Sequence, residues 1–214
     1  MFILEKAGRA VLIEAPCFTD NERELADYLK NQNLPVDGML LAYHMAGAAF
    51  LPEAKKYATP NAEEYGHRGG GRALIDQFQT TFGDCFDSGI HSITHHLTEG
   101  PVTIGGIDFI ITITPEAFDI VIPEINAVYT HMLGHDCHSI VAGPGHADAI
   151  IAQLQMYLQK GYLSLIHISL STLPSFSIIP SVTTKALRPI LASAPAASFK
   201  ASRPLTILCG VKNT

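Results

Sequence analysis

All 20 acidic residues of this 214-residue chain lie before position 161. The last 54 residues, 161–214, hold five Lys or Arg and five prolines but no Asp or Glu. The formal charge therefore divides into −11 for residues 1–160, from 9 basic and 20 acidic side chains, and +5 for the rest. A break of this kind predicts one acidic domain, 1–160, followed by a low-acid, Ser/Pro-rich tail, 161–214. The first 24 residues of the tail are uncharged, but Pro174, Pro180 and many hydroxyl side chains argue against a membrane-spanning helix. Five scattered basic residues are not the cluster that RNA or an anionic membrane selects. The run Leu163-Ser-Leu-Ile-His-Ile-Ser169 reads like translated sequencing-adapter DNA. On that reading the tail is a foreign or shifted frame never selected to fold, and the functional residues lie in 1–160.

Apolar residues make up 47% of the chain, enough for a sizeable core. A net charge of −6 leaves no basic footprint for nucleic acid. Cys17, Cys85, Cys137 and Cys209 are far apart and form no CxxC pair, which reads as free thiols in a reducing compartment. Three apolar residues after Met1, followed by Glu5 and Lys6, are too short for a signal-peptide core, so the expected location is cytoplasmic.

The local patterns place an α/β (α+β) order on residues 1–160. Phe2–Glu5 and Ala10–Ala15 are β-like runs joined by Lys6-Ala-Gly-Arg9, a hairpin signal. Thr19-Asp-Asn-Glu22 fits a capping box and opens a predicted helix over Asp20–Asn31. Val36–Tyr43 reads as a buried strand ending at His44, and a short helix is expected around Pro52–Tyr57. The glycine-rich stretch Tyr65–Arg72 lacks phosphate-loop spacing and reads as a flexible connection before a helix at Ala73–Phe82. Gly105-Gly106 between Val102–Ile104 and Ile107–Ile113 is a two-residue hairpin signal. Phe118–Ile122 and Ile125–Thr130 suggest a further strand pair around Pro123-Glu124. A last helix is predicted from about Ala147 to Lys160, with Ile150, Ile151, Leu154, Tyr157 and Leu158 on its inward face and Gly161 at its end.

Histidine carries the only chemical signal. Seven of ten fall between residues 91 and 146. His91, His95 and His96 stand in a loop-like stretch. A denser group is His131-Met-Leu-Gly-His135-Asp136-Cys137-His138, followed by His146 and Asp148. Imidazoles and carboxylates bind zinc, iron or manganese at neutral pH, and loops after strands can aim several at one point. His44, at the end of a predicted inner strand, joins them because ligands of layered α/β proteins sit at strand carboxyl ends. The alternative for each is a surface or capping histidine, a buried thiol for Cys137, and for Asp148 a helix N-terminal charge. No GxSxG, HExxH or Rossmann glycine pattern is present. Metal-assisted hydrolysis is the one enzyme class with positive support.

The order of these parts resembles the metallo-β-lactamase superfamily over most of residues 1–160. Ala10-Val-Leu-Ile-Glu-Ala-Pro16 is similar to its early "vLID-G" strand, and Val36-Asp-Gly-Met-Leu-Leu41 to the strand before its first metal motif. Ala42-Tyr-His-Met-Ala-Gly-Ala-Ala-Phe50 stands where the family has Thr-His-x-His-x-Asp-His. Ile104-Gly-Gly-Ile-Asp-Phe-Ile110 resembles the "lGg–l–v" hairpin, Thr114-Pro115 stands at His-Thr-Pro-Gly-His, and Ile122–Tyr129 resembles the strand pair before the bridging aspartate. The resemblance implies a four-layer αβ/βα sandwich, here incomplete at its C-terminus. In the first motif only His44 matches a ligand; Met, Ala and Gly replace the others. His131 or Asp136 stands near the bridging aspartate. The usual dinuclear site is therefore not expected.

Two readings follow from the resemblance. One is a divergent metal-dependent hydrolase-like protein with a site rebuilt around His44, His131, His135, Asp136, His138 and His146. Zinc, iron or manganese would there activate a water against an ester, thioester or phosphodiester. Asp136 would be a ligand or the partner orienting a ligating histidine. The other is a non-catalytic scaffold or truncated product without a functional metal site. The expected partners are a small-molecule substrate and, through self-association, a homo-oligomer; nucleic acid and membrane are not among them.

Overall fold

A computed structural model describes residues 1–43, 45–115, 117–130, 144–164 and 206–209. The chain opens with β1 (Phe2–Lys6) and β2 (Arg9–Ile13), the expected antiparallel hairpin. Helix α1 (Thr19–Asn31) then crosses to β3 (Val36–Leu40), which runs parallel to β2. Next come β4 (Lys56–Ala58), α2 (Pro60–Arg68), α3 (Gly70–Phe82) and the short β5 (His95–His96). The second half holds β6 (Gly100–Ile104), β7 (Ile107–Ile113), β8 (Phe118–Ile122), β9 (Ala127–Tyr129) and α4 (Pro144–Gln159). Two short strands, β10 (Leu163–Ser164) and β11 (Thr206–Cys209), come from the low-acid segment.

The strands form two sheets, ordered β11-β1-β2-β3-β4-β5 and β10-β9-β8-β7-β6. Strand β7 shows why the sheets face each other. Ile107, Phe109 and Ile111 alternate with Asp108, Ile110 and Thr112, and the first set is fully buried. They belong to one core with Leu12, Ile13, Met39 and Leu40 of the first sheet. Helix α1 adds Leu25 and Leu29 to that core and α3 adds Ile75. On the far side of the second sheet, Tyr157 of α4 packs on Val121 and Val128. The layers are therefore helix, sheet, sheet, helix, the αβ/βα arrangement expected from the sequence. The Gly105-Gly106 hairpin is also as expected: both residues have positive φ, +58° and +74°, as a two-residue turn of this kind requires.

Five local expectations are corrected. No helix forms around Pro52–Tyr57; Lys56–Ala58 instead joins the parallel ladder, where Met39 N–H donates to Lys55 O and Leu41 N–H to Tyr57 O. The strand expected to reach Tyr43 ends at Leu40. The stretch Tyr65–Arg72 is not a flexible connection but the junction of two packed helices, broken only at Gly69. Its glycines serve close approach: a Cβ on Gly66 would sit 2.1 Å from Met45 Cγ. The capping box is absent, because Phe18 is at the N-cap and the Thr19 hydroxyl turns to Cys85 O at 3.4 Å. On α4, Tyr157 is buried, but Ile151 and Leu158 are 51% and 76% exposed. Its inward face is held instead by polar bonds, Tyr157 OH to Asp119 Oδ2 at 2.6 Å and Gln153 Nε2 to the same oxygen.

Candidate functional site

The parallel strands β2, β3 and β4 end along one rim, where open α/β sheets bind ligands. Glu14 follows β2 directly, is 2% exposed and has φ +62°, a left-handed conformation that an ordinary side chain adopts only when its surroundings enforce it. Its Oε1 accepts from Tyr43 N–H at 3.0 Å and from Tyr129 OH at 3.2 Å. One buried carboxylate oxygen thus joins the exits of β2, β3 and β9. Tyr43 immediately precedes His44, and Tyr129 stands two residues before His131. Tyr43 OH also bonds Tyr65 OH at 2.8 Å, which ties the same exit to α2.

His44, His131, His135, Asp136 and His138 lie outside the described residues. His146 falls in the first turn of α4, and its side chain is likewise outside the description. The residues after His44 are described, and they build packing. Met45 is fully buried against Gly66. Ala46 forms a bridge with Ile90. Gly47 has φ +92°, and a Cβ there would lie 2.0 Å from Pro16 O. At the second motif, Asn61 Nδ2 donates to Thr114 O at 2.7 Å and Ala117 O at 3.0 Å, and Ala117 is buried. Ala46, Gly47 and Ala117 bring no donor atoms from their side chains, so these positions do not fit the usual two-cation site. Among the described residues no three His, Cys, Asp or Glu side chains form a metal-binding group.

His91, His95 and His96 do not converge. His95 and His96 lie exposed in edge strand β5, where His95 stacks on Tyr57 and His96 Nε2 bonds Glu63 Oε2 at 2.6 Å. His91 is 1% exposed, and neither ring nitrogen has a hydrogen-bond partner. Its backbone N–H donates to Met45 O at 2.8 Å, beside the loop that carries His44. Burial, with a smaller contribution from Lys56, holds its pKa down to about 4, so the ring is neutral. Nothing in the sequence distinguishes it from its loop-like neighbours. The Lys56 amine is buried too, and donates to Leu51 O at 3.0 Å and to Pro52 O.

Glu22 and the Cys17 thiol are also perturbed. Burial, then the neighbouring Asp87, raises Glu22 to about 7. Asp87 accepts from Ala49 N–H and Gly89 N–H, each at 2.8 Å, and so fixes the loop after Gly47. Burial, followed by the Glu22, Glu14 and Asp87 charges, pushes the Cys17 thiol up to about 11, which keeps it protonated at neutral pH and unsuited to nucleophilic attack.

Among solved structures, the chain is similar to the crystal structure of metallo-β-lactamase IND-7, with 20% identity and TM-score 0.54 over 76% of this chain and 74% of that one. It is similar to the metallo-β-lactamase family protein TTHA1429 of Thermus thermophilus, with 14% identity and TM-score 0.53 over 76% of this chain and 66% of that one. It is similar also to TTHA1623 in a di-iron-bound form, with 18% identity and TM-score 0.53 over 72% of this chain and 79% of that one. No protein-family model and no curated protein matches the sequence. These likenesses establish the metallo-β-lactamase fold. Among the described residues no helix is long and apolar enough to cross a membrane.

Proposed function

We propose that this chain is a divergent metal-dependent hydrolase-like protein on the metallo-β-lactamase fold, with one cation held by a reduced set of ligands. The proposed ligands are drawn from His44, His131, His135, Asp136, His138 and His146, and the cation is zinc, iron or manganese. The supporting observation is the Glu14 carboxylate, which bonds both the residue before His44 and the residue two before His131. Two segments that carry candidate ligands therefore leave the sheets from one buried anchor. A cation there would supply an activated water for attack on an ester, thioester or phosphodiester of a small-molecule substrate. The chain's own part is to hold the rim: Glu14 fixes the exits of β2, β3 and β9, and Asp136 acts as ligand or orients a ligating imidazole. The similar structures support a hydrolase-like reading through their family name and, for TTHA1623, a bound metal.

The test is elemental analysis of the purified protein, with thermal shift in zinc, manganese and iron. One tightly held ion, lost in His135→Ala and His138→Ala, is the expected result. The second reading, a scaffold without a reaction, draws on Ala46, Gly47 and Ala117 at the usual ligand positions. No bound metal and no thermal shift with any of the three ions would establish that reading and overturn the first.

A further inference from the structure

A narrow cleft lies between α3 and the loop after β3, lined by Cys17, Tyr43, Met45, Leu74, Phe78 and Phe86. Tyr43 and Met45 are the sequence neighbours of His44, so two of the lining residues flank that candidate ligand in the chain. Phe78 and Phe86 are held edge-on by Phe18 and Phe82, a closed ring of four with centroids 5.2–5.7 Å apart. Met45 is fully buried and rests on Gly66. The cleft is therefore preformed, as small-molecule sites usually are. Its free space is about that of a single water-sized sphere, the width of a methyl or methylene group. Among the described residues, none that lines it carries a charge. The charged groups that act on Cys17 are the acids Glu22, Glu14 and Asp87, against a smaller contribution from the N-terminal amine. An anionic phosphodiester would meet a negative field there, with no lining Lys or Arg to pair with it. A neutral acyl chain is indifferent to that field and gains by leaving water.

We propose that this cleft is an acyl-binding subsite, and that the substrate, on the hydrolase reading this rests on, is a carboxylic ester or thioester with a short unbranched acyl group rather than a phosphodiester. The chain enters the cleft, and the carbonyl group stays at the rim, where Tyr43 N–H is fixed on Glu14. The cleft takes only the acyl side, which esters and thioesters share. Leu74 sets its width from α3, where it is half-buried and open to replacement.

The test uses neutral amides that resist hydrolysis, N-methylacetamide, N-methylpropionamide and N-methylpivalamide, with dimethyl phosphate as the phosphodiester. Binding to the full chain is titrated by saturation-transfer NMR. The propionamide should bind about fourfold tighter than the acetamide, the gain of a methylene leaving water. The branched pivalamide and dimethyl phosphate should not displace it, and Leu74→Phe should weaken it about tenfold or more by filling the cleft. Displacement by dimethyl phosphate, a pivalamide that binds as well as the propionamide, or an affinity unchanged in Leu74→Phe would overturn the subsite. Should Leu74→Phe fail to fold by circular dichroism, Leu74→Ala widens the cleft and should admit the pivalamide; its continued exclusion would overturn the subsite equally. These measurements need no bound metal, so failure of the hydrolase reading by elemental analysis is a separate result. In protein that carries its ion, p-nitrophenyl propionate should be turned over faster than bis(p-nitrophenyl) phosphate, and the reverse order would overturn the substrate class.

Discussion

Asp119 is a charged residue placed in the interior of the second sheet, and replacing it with asparagine should stabilise the protein at neutral pH. Asp119 is 4% exposed and accepts from Tyr157 OH and Gln153 Nε2, both on α4. Burial raises its pKa from 3.8 to about 6, and the two hydrogen bonds, which favour the carboxylate, only partly offset this. The folded protein thus binds this proton more tightly than the unfolded chain. Stability from this group is fully present below pH 3.8 and is lost as pH rises through about 6. The loss amounts to about 3 kcal/mol at pH 7.5, which for a domain of this size corresponds to a fall of roughly 6–12 °C in melting temperature. Asp119→Asn removes the titration. Its side-chain oxygen still accepts from Tyr157, and Gln153 needs only to turn its amide to present an acceptor. Urea unfolding of both proteins at pH 4 and pH 7.5 should show near-equal stability in acid and an advantage to the variant at pH 7.5. Equal loss at both pH values would mean that the carboxylate is needed to hold α4, and the reasoning from desolvation would be wrong.

Gly47→Ala should cost about 3 kcal/mol or more, because the new methyl meets a backbone oxygen rather than a side chain that can move; a melting temperature within a degree or two of the parent would refute the close approach. Glu14→Ala should lose about 2–4 kcal/mol by removing the acceptor shared by Tyr43 and Tyr129, whereas Glu14→Gln should lose less than about 1, since its oxygen keeps the geometry. Equal losses in the two Glu14 variants, read by urea unfolding, would show that charge rather than bonding geometry matters at that position.

The features legible in the sequence were those with local causes. Gly105-Gly106 forces a turn by backbone conformation alone, and the alternation of β7 records which face is wet. The features missed had causes elsewhere in the chain. Gly66, Gly69, Gly70 and Gly71 resemble a loop until Met45 is known to press on Gly66. Leu158 has the apolar signal to join Tyr157 on the inward face of α4, yet it is exposed, while Tyr157 is held inward with its hydroxyl on buried Asp119. Glu22 fits a cap by spacing, but its carboxyl lies partly buried beside Asp87 instead. His91 looks like any loop histidine, and the bridge of Ala46 to Ile90 and its own N–H on Met45 O show that its segment is part of the interior.

Packing and hydrogen bonding occupy much of the rim in this chain. Glu14 holds the rim with a left-handed backbone and bonds from Tyr43 N–H and Tyr129 OH. The loop that follows β3 packs Met45 against Gly66 of α2 and Gly47 against Pro16 O. Restoring a histidine at Gly47 would therefore not restore a site, since its Cβ alone would collide with Pro16 O. Any ligand set has to come from positions that packing has not already claimed. The segment after Tyr129, with three histidines and an aspartate in eight residues, is where the sequence still offers donors in number.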